Sequence, residues 1–78
     1  MTVGILQFFQ GRTFDELTTN AMEAAYNKAR RLLGGKGQPK LVQEVIARKI
    51  IDLAAYGERD PELLARRALK ELGFIAGR

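Results

Sequence analysis

The sequence predicts an all-α protein, a small three-helix bundle over about residues 14–33, 39–56 and 61–72. An apolar N-terminal arm over 1–12 precedes a single helical domain over 13–78. Three observations carry this reading. Apolar residues recur at three- and four-residue steps, the period that lines up side chains on one helix face. Gly34, Pro39, Gly57, Pro61 and Gly73 stand at the segment boundaries, where helices stop and start. Residues suited to helix caps, Thr13 and Asp60, precede two of the segments.

The first helix opens on Thr13-Phe14-Asp15-Glu16, which fits a capping box. Phe14, Leu17, Ala21, Ala25, Ala29 and Leu32 then mark its expected inner stripe. Arg30 and Arg31 suit the negative end of the helix dipole, and Gly34 supplies a left-handed stop. In the second helix Pro39 fits the first position, and Val42, Ile46, Ile50 and Leu53 form the stripe, widened by Val45 and Tyr56. Lys40, Glu44, Arg48 and Asp52 alternate in sign on the opposite, wet side. Asp60 caps the third helix, Pro61 starts it, and Leu64, Ala65, Ala68, Leu69 and Leu72 face inward. Gly73 closes it and Phe74 folds back on the last turn.

Two sets of residues exceed what three helices need. Ile51 and Leu63 fall outside the centres of their stripes. Val3, Ile5, Leu6, Phe8 and Phe9 make the arm too apolar to stand in water, so Phe8 and Phe9 are expected to dock on a groove of this chain or another. Phe8, Phe9, Ile51 and Leu63 are therefore the candidate protein-contact residues. A domain of 78 residues buries only about 60% of its unfolded surface, and small domains commonly recruit a partner chain. A homodimer follows as the expectation, a monomer with a few exposed aliphatics being the plainer alternative.

Composition narrows the chemistry. The chain has no Cys and no His, so disulfides and soft-metal sites are not expected, and no cofactor is. It also has no Ser, which leaves threonines, two tyrosines and carboxylates as reactive groups, with scarcely enough chain to enclose them. Enzymatic activity is not expected. No apolar run approaches the ~20 residues of a membrane span, and "MTVGILQFFQGR" lacks the basic start of a secretory signal, so a cytoplasmic, non-membrane protein is expected.

The net charge is +4 and the pI about 9.9, which admits nucleic acid or an acidic protein as partner. "RRLLGGKGQPK" (30–40) raises the question of a phosphate loop. A Walker-type loop needs a preceding strand, G-x-x-x-x-G-K-[ST] spacing and a hydroxyl for magnesium, and all three are missing. What remains is a flexible corner, or an anion contact built from Lys28, Arg30, Arg31, Lys36 and Lys40, with no acid between Glu23 and Glu44. The helical pair about Gly57 is a poor DNA reader, since Asp52 and Arg66 fall where that motif wants apolar residues. Its second helix also opens on Asp60 and Glu62, which phosphates would repel. Arg66 and Arg67 read as an ion-laced surface, and Tyr26 and Tyr56 as half-buried tyrosines with wet hydroxyls.

Ile46-Ala47, Ile50-Ile51, Leu53-Ala54 and Gly57-Glu58-Arg59-Asp60-Pro61, with the Phe14-Asp15 start, spell an I-A-x-x-I-I-x-L-A-x-x-G-E-R-D-P signature. Over most of 13–72 the chain resembles short uncharacterised helical proteins of rhizobia and related alphaproteobacteria. The resemblance implies a bacterial cytoplasmic protein of three helices and brings no activity or binding residue. The expected function is a non-enzymatic protein-interaction module, homodimeric and binding a further protein. A small nucleic-acid-binding regulator using the 28–40 cations is the alternative.

Overall fold

The three expected helices form: α1 (Glu16–Leu32), α2 (Lys40–Ala55) and α3 (Pro61–Glu71), each touching both others. The computed structural model describes residues 5, 8, 9, 11–34 and 38–75. Six alanines, two from each helix, are wholly buried in one cluster: Ala25 and Ala29, Ala47 and Ala54, Ala65 and Ala68. Small side chains at these positions let helix backbones approach closely. Met22, Tyr26, Ile46, Ile50, Ile51, Leu64 and Leu69 fill the remaining volume.

The helix ends obey local chemistry, with two corrections. Asp15, not Thr13, caps α1; its backbone is extended and its carboxylate accepts the Thr18 amide at 3.2 Å. The capping box therefore does not form. Phe14 lies outside the helix because its ring is engaged edge-on with Phe9 at 5.4 Å, while the Arg12 guanidinium lies 5.9 Å from its centroid. Pro39 is the cap of α2 rather than its first residue; its carbonyl accepts the Gln43 amide at 3.1 Å.

Stripe assignments shift as well. On α1 the buried residues are Thr18, Met22, Ala25, Tyr26 and Ala29, whereas Leu17 is 78% exposed. Both phases share Ala25 and Ala29, and the observed one buries Met22 and Tyr26, the Tyr26 ring meeting Phe8 of the arm and its hydroxyl facing Gln43 of α2. On α2 the inner face is wider than expected. Ile51 is only 2% exposed and belongs to the core, because the N-terminal arm lies against that side of the helix. Tyr56, assigned to the stripe, instead follows the last helical residue and points outward.

The arm packs on its own chain. Ile5 is fully buried and its amide donates to Glu23 Oε1 at 3.1 Å. The Phe8 ring lies 6.0 Å from that of Tyr26, tilted by 58°. Arg12 pairs with Asp52 of α2 at 3.2 Å and closes the far end of the arm. Val3 and Leu6 lie outside the described residues.

The corner between α2 and α3 is held most densely. Gly57 takes φ +116°, and the amides of Gly57 and Glu58 return to the carbonyls of Ala54 and Leu53, a Schellman closure. Glu58 gathers the amides of Arg59 and Asp60 on one carboxylate oxygen and Arg67 Nη1 on the other. Arg59 Nη1 donates to the Ala54 carbonyl at 2.7 Å, placing a cation at the negative end of α2. Asp60 accepts the Glu62 amide at 2.8 Å, and Pro61 occupies the first position of α3. Every residue of the Gly-Glu-Arg-Asp-Pro run thus has a structural task. Gly73 and Phe74 close α3 in the same way.

Two outcomes check this arrangement. Asp60→Ala should lower stability by about 1 kcal/mol, as loss of a cap does, while Thr13→Ala should leave the melting temperature unchanged. Ile51→Ala should cost about 2–5 kcal/mol in a denaturant titration, the range for a buried aliphatic; a change under about 0.5 kcal/mol would return Ile51 to the surface.

Candidate functional site

The residues singled out for partner contact separate into two groups. Phe8, Phe9 and Ile51 face inward: the two phenylalanines are half-buried against Tyr26 and Phe14, and Ile51 is core. Their apolar surface is largely spent within the chain, since the arm and α2 cover one another. Leu63, by contrast, remains 44% exposed on α3.

The candidate anion contacts are also divided. Lys28 pairs with Glu62 at 3.1 Å and joins α1 to α3. The Arg30 guanidinium stacks 5.4 Å from the Tyr26 ring centroid, with its Nε buried and without a hydrogen-bond partner. Arg31 and Lys40 are exposed and take part in none of the ion pairs of the described residues. Lys36 lies outside the described residues. Of the described cations in 28–40, Lys28 and Arg30 are thus engaged within the chain, and Arg31 and Lys40 are left at the surface.

The surface that does assemble lies where α2 meets α3. Tyr56 is 92% exposed and stands beside an open cleft of about 590 Å³, with Leu53 in its wall. Gly57, Glu58, Arg67 and Glu71 complete the lining. Leu63 stands one turn before Arg67 on the same row of α3, outside the cleft's lining. The charges are paired locally: Arg67 with Glu58 at 3.2 Å, and Glu71 with Lys49 at 3.4 Å. An exposed aromatic beside an arginine and flanking aliphatics is the composition of an interface centre. A second hollow of about 110 Å³ under the arm, lined by Phe8, Phe9, Arg12, Arg48, Ile51 and Asp52, is too small for a sizeable ligand.

Tyr56 was missed by periodicity because it sits on the α2 stripe. Its place before the left-handed Gly57 is no signal by itself, since Leu33 and Leu72 precede left-handed glycines in the same way and pack against the core.

The titratable groups are tuned by structure rather than chemistry. Hydrogen bonding from Thr18 holds the Asp15 carboxyl below its ordinary range, and Arg66 with Lys28 does so for Glu62. Burial raises the Tyr26 phenol, with Arg30 opposing and Glu23 reinforcing the shift. The Tyr26 hydroxyl reaches Gln43 Oε1 at a long 3.5 Å. No described helix is long and apolar enough to cross a membrane. The chain matches no protein family, no curated protein and no solved structure in comparison with known proteins.

The lowered carboxyls fix the direction of acid sensitivity. A group whose pKa falls on folding stabilises the fold while ionised, so the contributions of Asp15 and Glu62 are present at neutral pH. They should be lost as the pH drops below about 4, seen as a falling denaturant midpoint in acid. Glu62→Gln should flatten part of that decline, and an unchanged slope would separate the Lys28–Glu62–Arg66 cluster from stability.

Proposed function

We propose that this chain is a non-enzymatic protein-interaction module of the bacterial cytoplasm that self-associates through the α2–α3 face. The observation that carries this reading is Tyr56, left 92% exposed at the α2–α3 corner while Phe8, Phe9, Phe14 and Tyr26 are buried or half-buried and Phe74 is 39% exposed. Arg67 and Glu71, held in place by Glu58 and Lys49 of the same chain, supply an ordered polar rim of both signs around Tyr56, which suits a two-fold contact in which the same patch meets itself. Leu63 keeps its place in the contact. Phe8, Phe9 and Ile51 serve it indirectly, by sealing the arm. The resemblance of residues 13–72 to alphaproteobacterial helical proteins contributes no binding residue to this function.

The alternative, a nucleic-acid-binding regulator, has fewer cations to use than composition suggests. Lys28 is committed to Glu62 and Arg30 to the Tyr26 ring. Binding to duplex DNA that weakens steeply with salt would decide for it.

Sedimentation at micromolar concentration tests self-association. The chain should run at twice its 8.7 kDa mass, and Tyr56→Glu or Leu63→Gln should return it to monomer with its helix content unchanged. A wild-type chain at 8.7 kDa throughout sinks the proposal.

A further inference from the structure

A second exposed surface lies at the other end of α2. At the corner joining α1 to α2, Leu32 is 43% and Leu41 68% exposed. Beside them stand Arg31 and Lys40, exposed and outside the ion pairs of the described residues. The two helix ends are tied together: Gln38 Nε2 donates to the Leu33 carbonyl at 3.1 Å, and Gln43 Nε2 to the Gln38 carbonyl at 2.9 Å. The four residues therefore flank one corner, two on each side of it. No acid lies in the sequence between Glu23 and Glu44, and Glu44, the acid one turn along α2 from Lys40, is engaged by Arg48 at 3.4 Å. Elsewhere several exposed charges meet opposite ones, as at Arg12–Asp52, Lys49–Glu71 and Arg67–Glu58.

We propose that this corner binds an acidic amphipathic segment of another protein. Its carboxylates face Arg31 and Lys40, and its apolar side chains cover Leu32 and Leu41. Charge and apolarity together select this occupant. A phosphate backbone engages the cations but leaves two leucines in water, and a neutral apolar segment leaves the cations unused. α2 has 16 residues, so the corner lies about 24 Å along the helix from Tyr56, and a dimer closed over Tyr56 leaves it open. The proposal rests on the interaction-module reading and adds to it a second face and the chemistry of the partner.

The test is a fluorescence-anisotropy titration of the full chain against a labelled helix of ~18 residues, five turns of leucine, glutamate and alanine with one apolar face. Sedimentation is run on the same samples. Saturable binding is expected, weakened about tenfold by Leu41→Gln and again by Arg31→Gln with Lys40→Gln, with sedimentation unchanged. A peptide that does not bind, or binding indifferent to Leu41→Gln, overturns the proposal. So does equal or tighter binding of polyglutamate, a generic DNA duplex or phosphatidylglycerol vesicles. A chain that sediments as a monomer yet binds the peptide through Leu41 supports this site and removes only the self-association reading.

Discussion

Close approach of three short helices is the constraint on which the structure depends. Two alanines from each helix, all wholly buried, set that approach and leave Ile46, Ile50, Leu64, Leu69 and Met22 to fill what remains. A core this lean removes little surface from water for each helix. The molecule meets the shortfall in two other ways. Its arm adds Ile5, Phe8 and Phe9 to the flank of α1 and α2, and its helix termini are closed by side chains and left-handed glycines. The arm widens the buried face of α2 to include Ile51 and makes Tyr26 an inner residue.

Much of this was legible in the sequence where the chemistry is local. Asp60, Pro61, Gly57 and Gly73 announce their helix ends because the groups they satisfy are within a few residues. The third helix presents one unambiguous stripe, and Leu64, Ala65, Ala68 and Leu69 are buried as expected, while Leu72 caps the helix and is half-buried. The phase of α1 was not legible. Leu17-Ala21-Ala25-Ala29 and Thr18-Met22-Ala25-Tyr26-Ala29 are both helical faces, and the leucine loses to the methionine and tyrosine, whose ring is met by Phe8 of the arm. Propensity carries no information about that choice. The start of α1 failed for a related reason: Phe14 is held by Phe9 and Arg12, contacts that cross from arm to helix.

The candidate surface was the least legible part. Leu63 shows as an aliphatic off its stripe, and the structure leaves it exposed. Ile51 shows the same pattern and is core, since only the arm distinguishes the two. Basic residues at 28–40 read as a cluster in one dimension, but helix geometry turns Lys28 toward α3 and Arg30 toward Tyr26. Proximity along the chain is a weak guide to proximity of charge.

The way the corner after α2 is tied has a kinetic side. Its partners Leu53, Ala54, Gly57, Glu58, Arg59, Asp60 and Arg67 lie within a span of fifteen residues, whereas Arg12 must find Asp52 forty positions away. Closing short loops comes early and closing long ones late, so the hairpin of α2 and α3 is the natural nucleus, and the front segment is the last piece to settle. On a ribosome that order has a physical meaning: the part of the chain made first waits, greasy and unhoused, until the part made later gives it somewhere to lie.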